Sequence, residues 1–138
     1  MDFVLDERLR RDCFELGRFE LCRLLLMNDA RFPWFILVPE RAGVREIHEL
    51  DAGDRAQLLR ESCELGEALG RAFGSHKLNV AALGNVVAQL HVHHVVRFRD
   101  DPAWPRPVWC EGQAVPYAIG QAERTAERLK AELPALRA

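Results

Sequence analysis

Three of the five histidines in this 138-residue chain stand close together, at positions 91, 93 and 94. The run around them is apolar and rich in valine, which is typical of a β-strand. Side chains alternate between the two faces of a strand. His91 and His93 therefore share one face with Gln89 and Arg97, and His94 points to the other. Because imidazole can act as a base, a nucleophile or a metal ligand near neutral pH, we expect chemistry on this face.

Residue types alone leave four interpretations of this histidine row. Histidines in a buried strand can simply satisfy local hydrogen bonds, although two on one face with an amide and a guanidinium weaken that view. A zinc site normally needs at least three protein ligands, and the spacing of His48, His76, Asp100 and Asp101 demands none, so we predict no metal and no other cofactor. The remaining interpretations are a site that holds phosphate or carboxylate without turnover, and nucleophilic catalysis at phosphorus.

The charge balance of the chain argues against a nucleic-acid-binding protein. The chain has 19 Lys and Arg residues against 21 Asp and Glu residues, a net charge of -2, whereas a nucleic-acid-binding surface usually brings clustered cations. The local group Arg8, Arg10 and Arg11 lies among acidic residues, which predicts a solvated helix face. The sequence therefore predicts no nucleic-acid partner.

Targeting and redox signals are equally weak. The first residues lack the basic and apolar regions of a signal peptide, and the most apolar run, residues 32–39, is far below the roughly 20 residues of a spanning helix. The four cysteines are scattered, which favours reduced, partly buried thiols over a disulfide framework. We expect a cytoplasmic protein with no membrane partner.

The other segments predict an α+β fold. We expect strands over residues 17–27, 34–38, 77–82 and 87–98, a short charged helix over 5–13, a long helix over 52–73 and a last amphipathic helix over 117–133. Strands in hairpins with separate helices indicate an antiparallel sheet, and we expect residues 1–138 to form a single domain. The residues predicted on the buried stripes of the two longer helices are Leu58, Leu59, Ser62, Cys63, Leu65, Leu69, Ala72, Phe73, Ile119, Ala122, Ala126, Leu129 and Leu133.

The segment from Gly84 to Arg97 resembles the signature of the histidine triad (HIT) family. That signature has three histidines alternating with apolar residues, and Gln89, His91 and His93 stand at the three positions, with Gln89 in place of the first histidine. The resemblance implies a five-stranded antiparallel sheet packed with helices, usually in a homodimer. It also implies nucleotidyl hydrolase or transferase activity on nucleoside phosphoramidates or dinucleoside polyphosphates.

The resemblance also implies roles for single residues. His91 would attack the α-phosphorus and form a nucleotidyl-histidine, and His93 would hydrogen-bond the phosphate or the leaving group. Gly84 and Asn85 stand where the family has a Gly-Gln pair that contacts phosphate.

Two further assignments concern the ribose and the nucleophile. Asn28 or Asp29 would bind ribose hydroxyls, although the residues alone favour turn chemistry there. Gln89 would orient the nucleophile through a hydrogen bond of its amide. The alternative function is a nucleotide-binding protein that has lost turnover together with its first histidine.

Overall fold

In the computed structural model, which describes residues 1–138, five strands form one antiparallel sheet in the order β1-β2-β3-β5-β4. The strands are β1 Cys13–Arg18, β2 Cys22–Met27, β3 Trp34–Pro39, β4 Lys77–Ala81 and β5 Val92–Arg97. The helices are α1 Glu7–Asp12, α2 Ala52–Phe73 and α3 Gln121–Lys130. The predicted α+β fold, an antiparallel sheet of five strands with a long helix and a C-terminal helix, is confirmed. No helix combines the length and the hydropathy needed to cross a membrane.

Each face of the sheet has its own hydrophobic core. Helices α2 and α3 cover one face, where Val92 and Val96 of β5 join the larger core. The amino-terminal segment and the loop after β5 cover the other face, where Val95 packs with Leu5 and Leu9. Because side chains alternate along β5, His93 lies on the same face as Val95. The candidate site therefore lies on the smaller core, away from the two longer helices.

The predicted strand over residues 17–27 is wrong, since the chain folds there into a hairpin of β1 and β2. The N–H of Phe19 donates to the carbonyl of Cys22 at 2.8 Å and closes the turn. The buried carboxylate of Glu61 on α2 accepts the N–H groups of Leu21 at 2.9 Å and Cys22 at 2.8 Å. Because Glu61 lies about forty residues from this turn, the local sequence pattern did not indicate the turn.

Other element boundaries are also corrected. The first helix is Glu7–Asp12 rather than residues 5–13, and the last is Gln121–Lys130 rather than 117–133. Strand β5 starts at Val92 and not at residue 87, because residues 87–91 pair with no neighbouring strand. The long helix has the predicted bounds: Asp51 caps it by accepting from the N–H of Asp54, and Gly74 ends it in the left-handed conformation.

Some residues predicted on the buried stripes are exposed. Leu59 is 66% exposed and Cys63 is also exposed, whereas Glu61 is buried on the same helix. The stripe of α2 that meets the sheet is narrower than the hydrophobic pattern indicated. Ile119 is fully exposed because α3 begins only after Gly120, whose positive φ turns the chain. All four cysteines are free thiols, and Cys110 is exposed like Cys63.

The contact of Glu61 with the β1–β2 turn gives a stability prediction. Glu61→Ala leaves two backbone N–H groups without their partner, so we expect the free energy of unfolding to fall by about 2–4 kcal/mol. Urea denaturation measures the change. The matched control is Glu64→Ala, which removes an exposed carboxylate from the same helix and should change the free energy by under about 0.5 kcal/mol. Equal effects of the two variants would contradict this account of the turn.

Candidate functional site

His91 lies just before β5, with 7% of its surface exposed. Its Nδ1 is 2.7 Å from the backbone carbonyl oxygen of Gln89. A carbonyl only accepts hydrogen bonds, so Nδ1 must carry the ring proton. In the neutral ring the other nitrogen, Nε2, then has a free lone pair. The backbone thus holds His91 in the tautomer that a nucleophile needs.

His93, two residues further, is held in the opposite tautomer. The indole Nε1–H of Trp34 donates to its Nδ1 at 2.9 Å. An indole N–H can only donate, so Nδ1 of His93 is an acceptor and the proton sits on Nε2. Burial, followed by the charges of His91 and His94, lowers the pKa of His93 from 6.5 to about 3. His93 is therefore a neutral ring that presents an N–H donor.

The two rings lie together and complement each other. Their centroids are 4.9 Å apart, at an interplanar angle of 69°. Trp109 packs edge-on against His93, with centroids 5.2 Å apart, and so adds an apolar wall. One ring offers a lone pair and the other offers a donor, which is an arrangement suited to attack on an electrophile with stabilisation of its oxygens.

A cavity of about 330 Å³ opens over these rings. His91 and His93 are buried at its floor, and Trp34 and Trp109 line one part of it. The loop between β4 and β5 brings Gly84 and Asn85 to the same cavity, so the structure brings four of the predicted site residues together there. The other lining residues are Arg8, Leu9, Arg11, Asp12, Met27, Leu83, Val86 and Val87.

Arg8 and Arg11 line this cavity, which the prediction of a plain solvated helix face missed. The two residues are three positions apart on α1 and so share one side of the helix. The spacing was visible in the sequence, but nothing there indicated which element faces that side. Trp34, on β3, was missed as well. It pairs with Val95 of β5 and so lies diagonal to His93 on the same face of the sheet.

Comparison with known proteins assigns the chain to a family. Residues 8–100 match the HIT domain family. The chain belongs to this family. It is similar to solved histidine triad proteins from Marinobacter aquaeolei VT8 (48% identity, 99% of each chain, TM-score 0.95), Sinorhizobium meliloti 1021 (46% identity, 95% of this chain and 97% of that chain, TM-score 0.93) and Bradyrhizobium japonicum (38% identity, 96% of this chain and 99% of that chain, TM-score 0.94). A search of the curated proteins found no match.

In this HIT domain the side chain of Gln89 does not contact His91 in the predicted way. Its Oε1 accepts the N–H of Asp6 at 2.9 Å, and its Nε2 donates to the carbonyl of Val4 at 2.9 Å. The backbone carbonyl of Gln89, and not its amide, orients the ring of His91. Gln89 thus contacts His91 through a backbone atom that every residue type has, while its amide bonds the amino-terminal segment.

The predicted ribose ligands lie outside the cavity lining. The carboxylate of Asp29 is buried, pairs with Arg31 at 2.8 Å and accepts the N–H of Val115 at 3.3 Å. Although burial acts to raise the pKa of Asp29, the hydrogen bonds from Arg31 and from the N–H of Val115, with the charge of Arg31, together outweigh burial and lower it. The Oδ1 of Asn28 accepts the N–H of Tyr117 at 2.9 Å. Both side chains hold the loop before α3. Asp29 also accepts the N–H of Arg31 two residues on, which is the local turn bond that the residues alone favoured, whereas the side chain of Asn28 bonds only the distant loop.

The remaining polar groups on β5 have structural partners. His94 lies on the opposite face, where its Nδ1 bonds the carbonyl of Val92 at 3.1 Å and its Nε2 bonds the hydroxyl of Ser62 at 2.7 Å. Arg97 is buried and pairs with Asp101 through Nε at 2.8 Å. No group of three or more His, Cys, Asp or Glu side chains is placed to hold one metal ion.

The two buried neutral histidines of β5 give a pH prediction. The pKa of His93 is lowered to about 3 and that of His94 to about 4, mainly by burial in both cases. Between these values and the ordinary 6.5 the unfolded chain binds more protons, so the free energy of unfolding falls as pH falls from about 6.5. At pH 5 we expect a loss of about 2 kcal/mol per histidine.

Urea denaturation at pH 7 and pH 5 measures this loss. His93→Gln keeps an acceptor for the Trp34 indole but does not titrate, so it should remove roughly half of the loss. His48→Gln changes an exposed histidine and should keep the full dependence on pH. A free energy of unfolding that is the same at both pH values would contradict the neutral state of these rings.

Proposed function

We propose that this HIT protein is a nucleotidyl hydrolase or transferase that acts on the α-phosphate of nucleoside phosphoramidates or dinucleoside polyphosphates. The observation that supports this most is the pair of tautomers at the cavity floor. His91 presents a bare Nε2, and His93 presents an Nε2–H beside it. Assembly as a homodimer stays a prediction.

In the first step the lone pair of His91 Nε2 attacks the α-phosphorus. The N–P bond forms as the bond from phosphorus to the leaving group breaks, and the leaving group departs with that electron pair. His91 becomes a nucleotidyl-imidazolium whose Nδ1–H still donates to the carbonyl of Gln89, which offsets the new positive charge. His93 donates from Nε2 to a phosphoryl oxygen or to the leaving atom.

In the second step water or another acceptor attacks the same phosphorus. The N–P bond breaks, His91 recovers its lone pair, and the attacking oxygen loses its proton to solvent. Two displacements on one nucleophile make the reaction ping-pong.

The loop between β4 and β5 is proposed to hold the phosphate. Gly84 has a φ of 79°, where a residue without a side chain is favoured, and its backbone lies open to a ligand in the cavity. Asn85 beside it supplies an amide donor. For the ribose, Asn28 is a better candidate than Asp29, because Asn28 keeps an amide nitrogen for donation while the Asp29 oxygens already accept several bonds.

Release of AMP from an adenosine phosphoramidate and from diadenosine tetraphosphate tests this function. We expect turnover by the wild type and a loss of at least about 10³-fold in His91→Ala, because the nucleophile is gone. Trapping of an acid-labile phosphate adduct on His91 identifies the intermediate. His48→Ala, which removes an exposed histidine that does not line the cavity, is the matched control and should retain activity.

The outcomes separate the proposal from its alternative. Binding of AMP by the wild type with no release from either substrate, and no adduct, would favour a nucleotide-binding protein without turnover. Full activity in His91→Ala would overturn the assigned nucleophile.

A further inference from the structure

Two cationic side chains stand at the mouth of the cavity, and the mechanism above does not use them. Arg8 and Arg11 are exposed residues that line the same cavity as the buried His91 and His93. Arg11 pairs with Asp12 through Nε and Nη2, at 2.9 and 3.4 Å, which leaves other guanidinium donors for a ligand. The cavity thus runs from a floor of buried imidazoles to a mouth that carries two guanidinium groups.

The direction from the floor of the cavity to its mouth constrains where the leaving group goes. An in-line displacement places the leaving group on the far side of phosphorus from the nucleophile. Because His91 attacks from the buried floor, the bond that breaks points away from that floor and towards the mouth. The leaving group therefore departs past α1, where Arg8 and Arg11 lie.

The same geometry constrains the chemistry of the leaving group. While the Trp34 indole N–H points at Nδ1 of His93, that nitrogen has no room for a proton, so the ring holds only the one on Nε2. His93 can donate a hydrogen bond, but it has no spare proton to give to a departing amine. A polyphosphate departs as a stable anion and needs none, and guanidinium groups bind phosphates well.

Several contacts hold α1 in place over the mouth. Gln89 bonds the backbone of Val4 and Asp6 on either side of Leu5, which is buried. Asp6 caps the helix by accepting the N–H of Arg8 at 2.8 Å, and Leu9 is buried one turn later. The residue two positions before the nucleophile therefore fixes the helix that carries the arginines.

We propose that α1 recognises the leaving group: Arg8 and Arg11 bind the phosphates of an anionic leaving group, and Gln89 is the positioning residue that holds them there. This inference rests on the proposed function and makes dinucleoside polyphosphates the preferred substrate class over nucleoside phosphoramidates. In the step that it describes, the bond between the α-phosphorus and the bridging oxygen breaks, and the released polyphosphate keeps the electron pair.

Steady-state kinetics on two substrates test the assignment. Arg8→Ala and Arg11→Ala should each lower kcat/KM for diadenosine tetraphosphate by about tenfold, and by clearly less for an adenosine phosphoramidate. The matched control is Arg10→Ala, which removes the same charge from the same helix away from the cavity and should leave both values unchanged. Equal losses on the two substrates, or an equal loss in Arg10→Ala, would overturn the proposal.

A binding experiment keeps this test separate from turnover. In His91→Ala protein, calorimetry compares the affinity for AMP with that for diadenosine tetraphosphate. Arg8→Ala in this background should reduce the preference for the tetraphosphate by about tenfold. If the wild type turns over neither substrate, the proposed function fails, and this ratio still decides whether α1 binds the additional phosphates. An unchanged ratio would overturn the role of α1.

A double-mutant cycle tests the positioning role of Gln89. Gln89→Ala should lower the preference for the tetraphosphate, and Arg8→Ala should then add little, because the unclamped helix no longer presents the arginine. A purely structural role of Gln89 would instead lower activity on both substrates alike and leave the effect of Arg8→Ala undiminished. Additive effects of the two substitutions would overturn this part of the proposal.

Discussion

Strand β5 lies between β3 and β4 with a hydrophobic core on each face, so each of its histidines must be accommodated as a buried ring. Burial disfavours the charged form of imidazole, and it lowers the pKa of both His93 and His94. A buried neutral ring needs one donor and one acceptor partner. His94 finds both inside the protein, whereas the hydrogen bonds made by His91 and His93 leave Nε2 of each ring for a ligand. The site consists of the two nitrogens that the scaffold does not use.

The partner atoms decide which chemistry each free nitrogen performs. The carbonyl of Gln89 can only accept and the indole of Trp34 can only donate, so the two rings take opposite tautomers. The result is a free lone pair on one ring next to an N–H donor on the other. Among the elements that line the cavity, α1 carries the cationic side chains, Arg8 and Arg11, whereas the loop after β4 contributes backbone groups and the amide of Asn85.

Much of this arrangement was predictable from the sequence. The alternation along β5 predicted which histidines share a face, and the Asp51 cap and Gly74 stop predicted both ends of α2. The hairpin turn was not predictable, because the Glu61 carboxylate that holds it lies about forty residues away in the chain. The positions of Arg8 and Arg11 were missed for a related reason: helical spacing predicts that two side chains share a side, but only the packing of Leu5 and Leu9 turns that side to the cavity.

Gln89 shows most clearly why a residue type alone does not predict which atom makes a contact. Its amide presents an acceptor and a donor side by side, and these match the N–H of Asp6 and the carbonyl of Val4, which lie along one edge of an extended segment. An imidazole has its two nitrogens on separated edges of a ring and cannot make both bonds in this geometry. A glutamine at this position thus divides two tasks between two parts of one residue. Its backbone carbonyl holds the ring of His91, and its side chain ties the segment that leads into the amino-terminal helix to the same site.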